Sequence, residues 1–132
     1  MATGVTTFMM FQGQEAEEAM TFYTSLFKDA EVLSVSRYGP GDPGPEGSVR
    51  HARFTLAGRD FMCIDSPVRH DFTFTPAISL YVECESEDEI DRLYDSLGDG
   101  GAVLMALGDH GIGTKFGWVS DRYGISWQFS LP

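Results

Sequence analysis

Residues 51–65, HARFTLAGRDFMCID, hold four chemically capable side chains in one short stretch: His51, Arg53, Cys63 and Asp65. A thiol beside an imidazole is a nucleophile with its base, because the thiolate attacks and the imidazole takes the proton. Their placement depends on the turn between two strands. If Ala57, Gly58 and Arg59 form a three-residue turn, 51 stands opposite 65 and 53 opposite 63. All four then share one face, against Ala52, Phe54, Met62 and Ile64. A two-residue turn undoes the cluster. The plainer reading is a solvated sheet face with an exposed ion pair and, for Cys63, a buried inert thiol. Cys63 and His51 are thus the weak catalytic candidates.

A second candidate lies in DRYGISWQF, residues 121–129. Strand alternation puts Ile125, Trp127 and Phe129 on one face and Ser126, Gln128 and Ser130 on the other. Gln128 either reads a ligand from the polar face or is tied to backbone groups of neighbouring strands. Phe8, Met10 and Gln12 alternate in the same way with Met9 and Phe11. Trp118 and Tyr81 line a cavity or fill a core. His70 and His110 fall in loops. The loop GDHGIGTKFG lacks phosphate-loop spacing, and the acids of ESEDEID serve a helix start better than a calcium loop.

The elements that carry these residues follow from periodicity. Strands are predicted at 5–12, 30–38, 48–56, 59–65, 77–83, 102–107, 115–120 and 124–130. Helical spacing joins Ala16, Ala19, Met20, Tyr23, Leu26 and Phe27, and later Ile90, Leu93, Tyr94 and Leu97. Ser86 with Glu89 forms a capping box, and Gly98–Gly101 ends that helix. The Gly/Pro run 39–47 and the proline-bounded stretch 66–76 are connectors. A shift of 71 positions lays Glu18, Tyr23, Ser25 and Leu26 on Glu89, Tyr94, Ser96 and Leu97. The order strand, helix, three strands then occurs twice. A single domain with repeat halves of about 1–66 and 76–132 is expected. Its class is α+β: two βαβββ modules form a cupped mixed sheet, with helices on the convex face and a concavity free for a ligand.

Twenty acidic against nine basic residues give a net charge of −11. That field repels phosphate backbones and anionic membranes, so neither nucleic acid nor membrane is an expected partner. No apolar run reaches membrane-spanning length, and the first residues do not read as a signal peptide, so a cytoplasmic protein is expected. Cys63 and Cys84 are expected as reduced thiols. No Cys-x-x-Cys or His-x-x-x-His spacing points to zinc.

FQGQEAEEAMTFYTSLF, EGSVRHARFTLAGRDFMCID, AISLYVE and GWVSDRYGISWQF together resemble the vicinal oxygen chelate superfamily of glyoxalase I, extradiol dioxygenases and bleomycin-resistance proteins. The closer likeness is to its PhnB-like branch, often called 3-demethylubiquinone 3-methyltransferase domains. The resemblance implies a divalent ion held by His, Gln or Glu from the first and last strands of each half. Those positions fall here near Phe8, near Cys63, near Ala77 or Ser79, and on Gln128. Phenylalanine and alanine ligate nothing, so no metal and no cofactor are expected. No glycine-rich turn of a doubly wound fold follows the first strand, which disfavours methyl transfer. A metal-independent small-molecule binding protein is therefore expected, with a metal-independent enzyme as the alternative. The ligand cavity is assigned to Phe8, Met10, Gln12, Arg53, Phe61, Cys63, Ser79, Tyr81, Trp118 and Gln128. A cup lined by Phe8, Met10 and Phe61 exposes a large apolar patch, so a homodimer is expected.

Overall fold

Alternating side chains in Thr7–Phe11 and 3.6-residue spacing just after them set the plan that the chain uses twice. The computed structural model describes residues 1–132. The elements are β1 Thr7–Phe11, α1 Ala16–Leu26, β2 Glu31–Arg37, β3 Val49–Leu56, β4 Arg59–Asp65, β5 Leu80–Glu83, α2 Glu87–Gly98, β6 Ala102–Gly108, β7 Lys115–Ser120 and β8 Ser126–Leu131. They form two compact units, Met1–Asp71 and Phe72–Pro132, each with one helix and one four-stranded mixed sheet. The boundary falls within the proline-bounded connector.

In the first unit the strand order is β1-β4-β3-β2, with β1 parallel to β4 and the other pairs antiparallel. Met9, Phe11, Ala52, Phe54, Phe61 and Cys63 are buried together with Ala16, Ala19, Met20 and Tyr23 of α1. Each large apolar side chain so buried contributes about 1.5–3 kcal/mol. Phe54 and Phe61 stack at 5.3 Å.

Helix α1 has acids in its first turn but no cap from its own N-cap residue, Glu15. The cap comes from the end of β4. Asp65, 2% exposed, accepts the Ala16 N–H at Oδ1 (3.0 Å) and the Val49 N–H at Oδ2 (2.8 Å). Tyr38 donates its hydroxyl to the Asp65 carbonyl at 3.1 Å. One carboxylate thereby joins a helix N-terminus and two strands.

The β3–β4 hairpin departs from the expected three-residue turn. Ala57 and Gly58 both have positive φ, 49° and 76°, the pattern of a two-residue type I′ turn. That turn matches the twist of the flanking strands, and only Gly58 adopts it without strain. Ala52 therefore stands opposite Cys63 and Arg53 opposite Met62. The cluster of His51, Arg53, Cys63 and Asp65 is undone: the first two face away from the helix and the last two face it.

In the second unit the order is β5-β8-β7-β6, again with the first pair parallel and the rest antiparallel. Ile90, Leu93 and Leu97 of α2 are buried with Val119, Trp127, Phe129 and Leu131. Gly117 lets the helix sit close, since a Cβ there would lie 2.9 Å from the Tyr94 ring. The capping box forms: Ser86 Oγ accepts the Glu89 N–H at 3.1 Å, and Glu89 Oε1 reaches one residue further back, to the Glu85 N–H at 2.8 Å. Strand β5 is shorter than the expected 77–83. Residues 76–78 turn instead, where Pro76 has no N–H to give a ladder.

Candidate functional site

The face of the second sheet turned away from α2 carries a polar chain bordered by aromatic rings. The register sets Tyr81 and Trp118 on either side of Gln128, Ser120 opposite Ser126, and Phe116 opposite Ser130. Trp118 Nε1 donates to Ser126 Oγ at 2.8 Å. The Ser126 and Ser79 hydroxyls lie 2.7 Å apart. Gln128 Nε2 donates to Ser79 Oγ at 3.1 Å. Gln128 is thus tied to a side chain on its own face, not to the backbone of its neighbours. Its Oε1 has no protein partner.

Beside this chain Tyr81 stands 53% exposed, its ring 6.4 Å from Phe116. His110 meets Phe116 edge-on at 6.1 Å and is held by its Nε2, which donates to the Ala106 carbonyl at 2.7 Å. The helix-facing side of the same strand is built differently. There Asp121 Oδ2 accepts the Trp127 indole N–H (2.8 Å), and Oδ1 accepts the N–H groups of Tyr123 (2.9 Å) and Ile125 (3.0 Å). This buried carboxylate shapes the β7–β8 turn that aims Ser126 and Gln128.

Alternation alone marks Ser126 as a companion of Gln128. Its role as the hub between Trp118 and Ser79 was invisible in the sequence, because it requires the β7–β8 and β5–β8 registers together. Phe116 and His110 also border this face, a placement that neither of their own stretches of sequence discloses. Of the expected cavity residues, the structure brings Ser79, Tyr81, Trp118 and Gln128 together.

The first unit's open face holds Phe8, Met10, Met62, Ile64, His51 and Arg53. Phe8 pairs with Met62 and Met10 with Ile64 across β1 and β4. His51 Nε2 lies 3.3 Å from the Met62 sulfur, and Arg53 is exposed and makes no ion pair. Three expected cavity residues are placed otherwise. Phe61 lies on the helix side against Phe54, because the two-residue turn fixes its parity. Cys63 lies there too, fully buried, and burial followed by the nearby Asp65 carboxylate pushes its thiol up to about 12. Such a thiol is protonated at neutral pH and is no nucleophile. Gln12 is committed to the chain after β4, its Oε1 accepting the His70 N–H at 2.6 Å.

The residues present do not fit the superfamily's divalent ion. Of the four expected ligand positions, Phe8 has no donor atom, Cys63 faces the helix, and residues 76–78 turn away from the ladder. Ser79 and Gln128 remain, a neutral hydroxyl and amide engaged with each other, and such donors hold a transition metal weakly. No group of three or more His, Cys, Asp or Glu side chains converges anywhere in the chain. A separate hollow of about 450 Å³ beside the end of α2 is lined by Tyr94, Asp95, Ser96, Gly98, Asp99 and Val103. It contains two carboxylates and neither a base nor a thiol, and lies on the helix side rather than on the open face.

Known proteins support the same plan. A PhnB protein of known structure from Bacillus cereus, named provisionally for 3-demethylubiquinone-9 3-methyltransferase, is 58% identical, with a TM-score of 0.95, over 98% of this chain and 100% of that one. The Escherichia coli protein YjdN is 25% identical over 87 residues, 66% of this chain, and the match spans only 58% of YjdN's own length. At 11% identity, fosfomycin resistance protein FosX of Listeria monocytogenes, solved with Mn(II) and a dihydroxypropylphosphonic acid, shares the fold, with a TM-score of 0.65 over 98% of this chain and 92% of that one. The family model for 3-demethylubiquinone-9 3-methyltransferase matches residues 3–130. Two βαβββ units with the glyoxalase and bleomycin-resistance topology, matched along nearly their whole length, mean that the chain belongs to this PhnB-like family.

Proposed function

We propose that the protein binds a small, ring-bearing organic molecule on the open face of its second sheet, without a metal ion. The observation that carries this reading is the Trp118–Ser126–Ser79–Gln128 chain beside the exposed ring of Tyr81. A few fixed polar atoms among aromatic walls suit recognition of a flat ligand with a polar edge. The donor set argues against metal chemistry, since neutral hydroxyl and amide groups do not replace carboxylates or imidazoles.

Methyl transfer, for which the family is named, finds no support in the architecture. A doubly wound sheet carries helices on both faces and a glycine-rich turn after its first strand. Each sheet here has one helix, and Gln12-Gly13-Gln14-Glu15 follows β1. Neither Cys63, buried and protonated, nor His51, set against a methionine, supports a nucleophilic enzyme.

A homodimer and a cytoplasmic location belong to the same reading. The edge strands β2 and β6 each leave an adjacent apolar pair exposed, Val32 with Leu33 and Val103 with Leu104, and Phe8 is 50% exposed. Apolar side chains in such runs favour association. No helix is long and apolar enough to cross a membrane. Light scattering at micromolar concentration is expected to give twice the chain mass, and a clean monomer contradicts this part.

Fluorescence titration with a panel of small aromatic compounds tests the binding reading. Ligand on the open face is expected to quench Trp118, and the response to vanish in Trp118→Phe, because Trp127 is buried on the other side. Binding with unchanged quenching in that variant counts against the site. Elemental analysis is expected to find no stoichiometric Ni, Zn, Fe or Mn, with thermal stability unaffected by chelators. About one transition metal per chain overturns the metal-free reading.

A further inference from the structure

The polar chain on the second sheet has a direction, and the direction dictates what it can read. The indole N–H of Trp118 can only donate, so Ser126 Oγ must accept from it. Ser126 is 2% exposed, so its own hydroxyl proton, cut off from water, must find an acceptor within the protein. Its available acceptor is Ser79 Oγ, at 2.7 Å. Ser79 therefore accepts from Ser126 and also from Gln128 Nε2 at 3.1 Å. Two donors enter Ser79, and its own proton has no partner within the protein. Half-buried Ser79 thus presents an outward O–H, and next to it the Gln128 carbonyl presents an outward acceptor.

Charge narrows the choice. The second unit has ten acids and three bases, Arg92, Lys115 and Arg122. Lys115 holds Asp91 at 2.7 Å, Arg122 pairs with Asp99, and Arg92 lies on α2. Glu83 stands opposite Ser130, two residues along from Tyr81 and Gln128. No cation on this face is free to meet an anion, and a carboxylate waits beside the site. An acidic ligand would lose its hydration and gain repulsion.

We propose that this face selects a neutral ring-borne amide edge, a carbonyl oxygen beside an N–H. The carbonyl accepts from Ser79 Oγ–H, the N–H donates to Gln128 Oε1, and the ring lies against Tyr81 and Trp118. The assignment rests on the binding reading above and names its ligand class. Carboxamides, lactams and pyridone-like rings carry this edge. Carboxylates, which only accept, do not.

The test uses the full chain, isotope-labelled, and two probes of nearly one shape, benzamide and benzoate. Trp118 and Trp127 give the two indole N–H resonances, assigned by the peak lost in Trp118→Phe. Benzamide is expected to shift Trp118 saturably and leave Trp127 in place, with benzoate at least about threefold weaker, the worth of one unmade hydrogen bond. Ser79→Ala is expected to weaken benzamide about three- to tenfold, and Ser79→Thr, which keeps the hydroxyl, to restore it. Benzoate equal to or tighter than benzamide overturns the edge, because a Gln128 amide turned with its NH2 outward favours acceptors alone; the face then survives as a binding site. Trp118 unmoved by both probes overturns the edge and the binding face together.

Discussion

The two units share one topology and solve the same problems with different residues. In the second, α2 is capped from its own sequence by Ser86 and Glu89. In the first, Glu15 makes no side-chain cap, and Asp65 supplies it from a strand 49 residues away. Their open faces differ as much. One carries Phe8, Met10, Met62 and Ile64, with the His51 imidazole set against a thioether. The other carries an indole, two hydroxyls and an amide in one hydrogen-bonded chain. A repeated backbone plan thus leaves the polar groups free to specialise, and the unit that caps its helix locally is the one that carries the hydrogen-bonded polar chain.

That contrast can be broken at its strongest point first. Asp65→Ala orphans the buried N–H groups of Ala16 and Val49 and is expected to cost about 3 kcal/mol or more in urea unfolding. Asp65→Asn keeps one acceptor and should cost less. Ser86→Ala removes one exposed cap bond and is expected to cost about 1 kcal/mol. Equal losses for Asp65→Ala and Ser86→Ala would mean that the long-range cap is no stronger than the local one.

A smaller effect should appear at alkaline pH. Cys63 and Cys84 are both pushed up from 9.0 to about 12, mainly by burial. The unfolded chain loses these protons first, so between pH 9 and 12 it binds fewer protons than the folded chain. Stability must then fall as pH rises through that window. Cys63→Ala is expected to flatten the slope, whatever the variant loses at neutral pH to its smaller side chain. The smallest effect is chemical: thiol reagents at neutral pH should leave native Cys63 unmodified and label it on unfolding. Rapid native labelling would return Cys63 to the list of reactive groups.

Much of this was legible because periodicity is local. The helical spacing around Tyr23 and Tyr94, the Ser86–Glu89 cap and the outward parity of Gln128 all follow from neighbours in the chain. The β3–β4 register was not legible. It turns on Ala57 adopting positive φ, which an alanine side chain does not announce. That one residue of slip carried Phe61 and Cys63 to the wrong face, since a strand's side chains alternate with period two. The Asp65 cap and the Ser126 hub were hidden for another reason. Each joins three segments, and no single stretch of sequence contains the geometry.

The most direct measurement of the central claim is a crystal structure of the protein with a bound neutral aromatic amide. Density is expected on the second sheet, with the ligand carbonyl in hydrogen-bond reach of Ser79 Oγ, its N–H in reach of Gln128 Oε1, and its ring against Tyr81 and Trp118. Density seated instead on Phe8 and Met10 with Ser79 and Gln128 untouched, or a metal ion coordinated by Gln128, would contradict it.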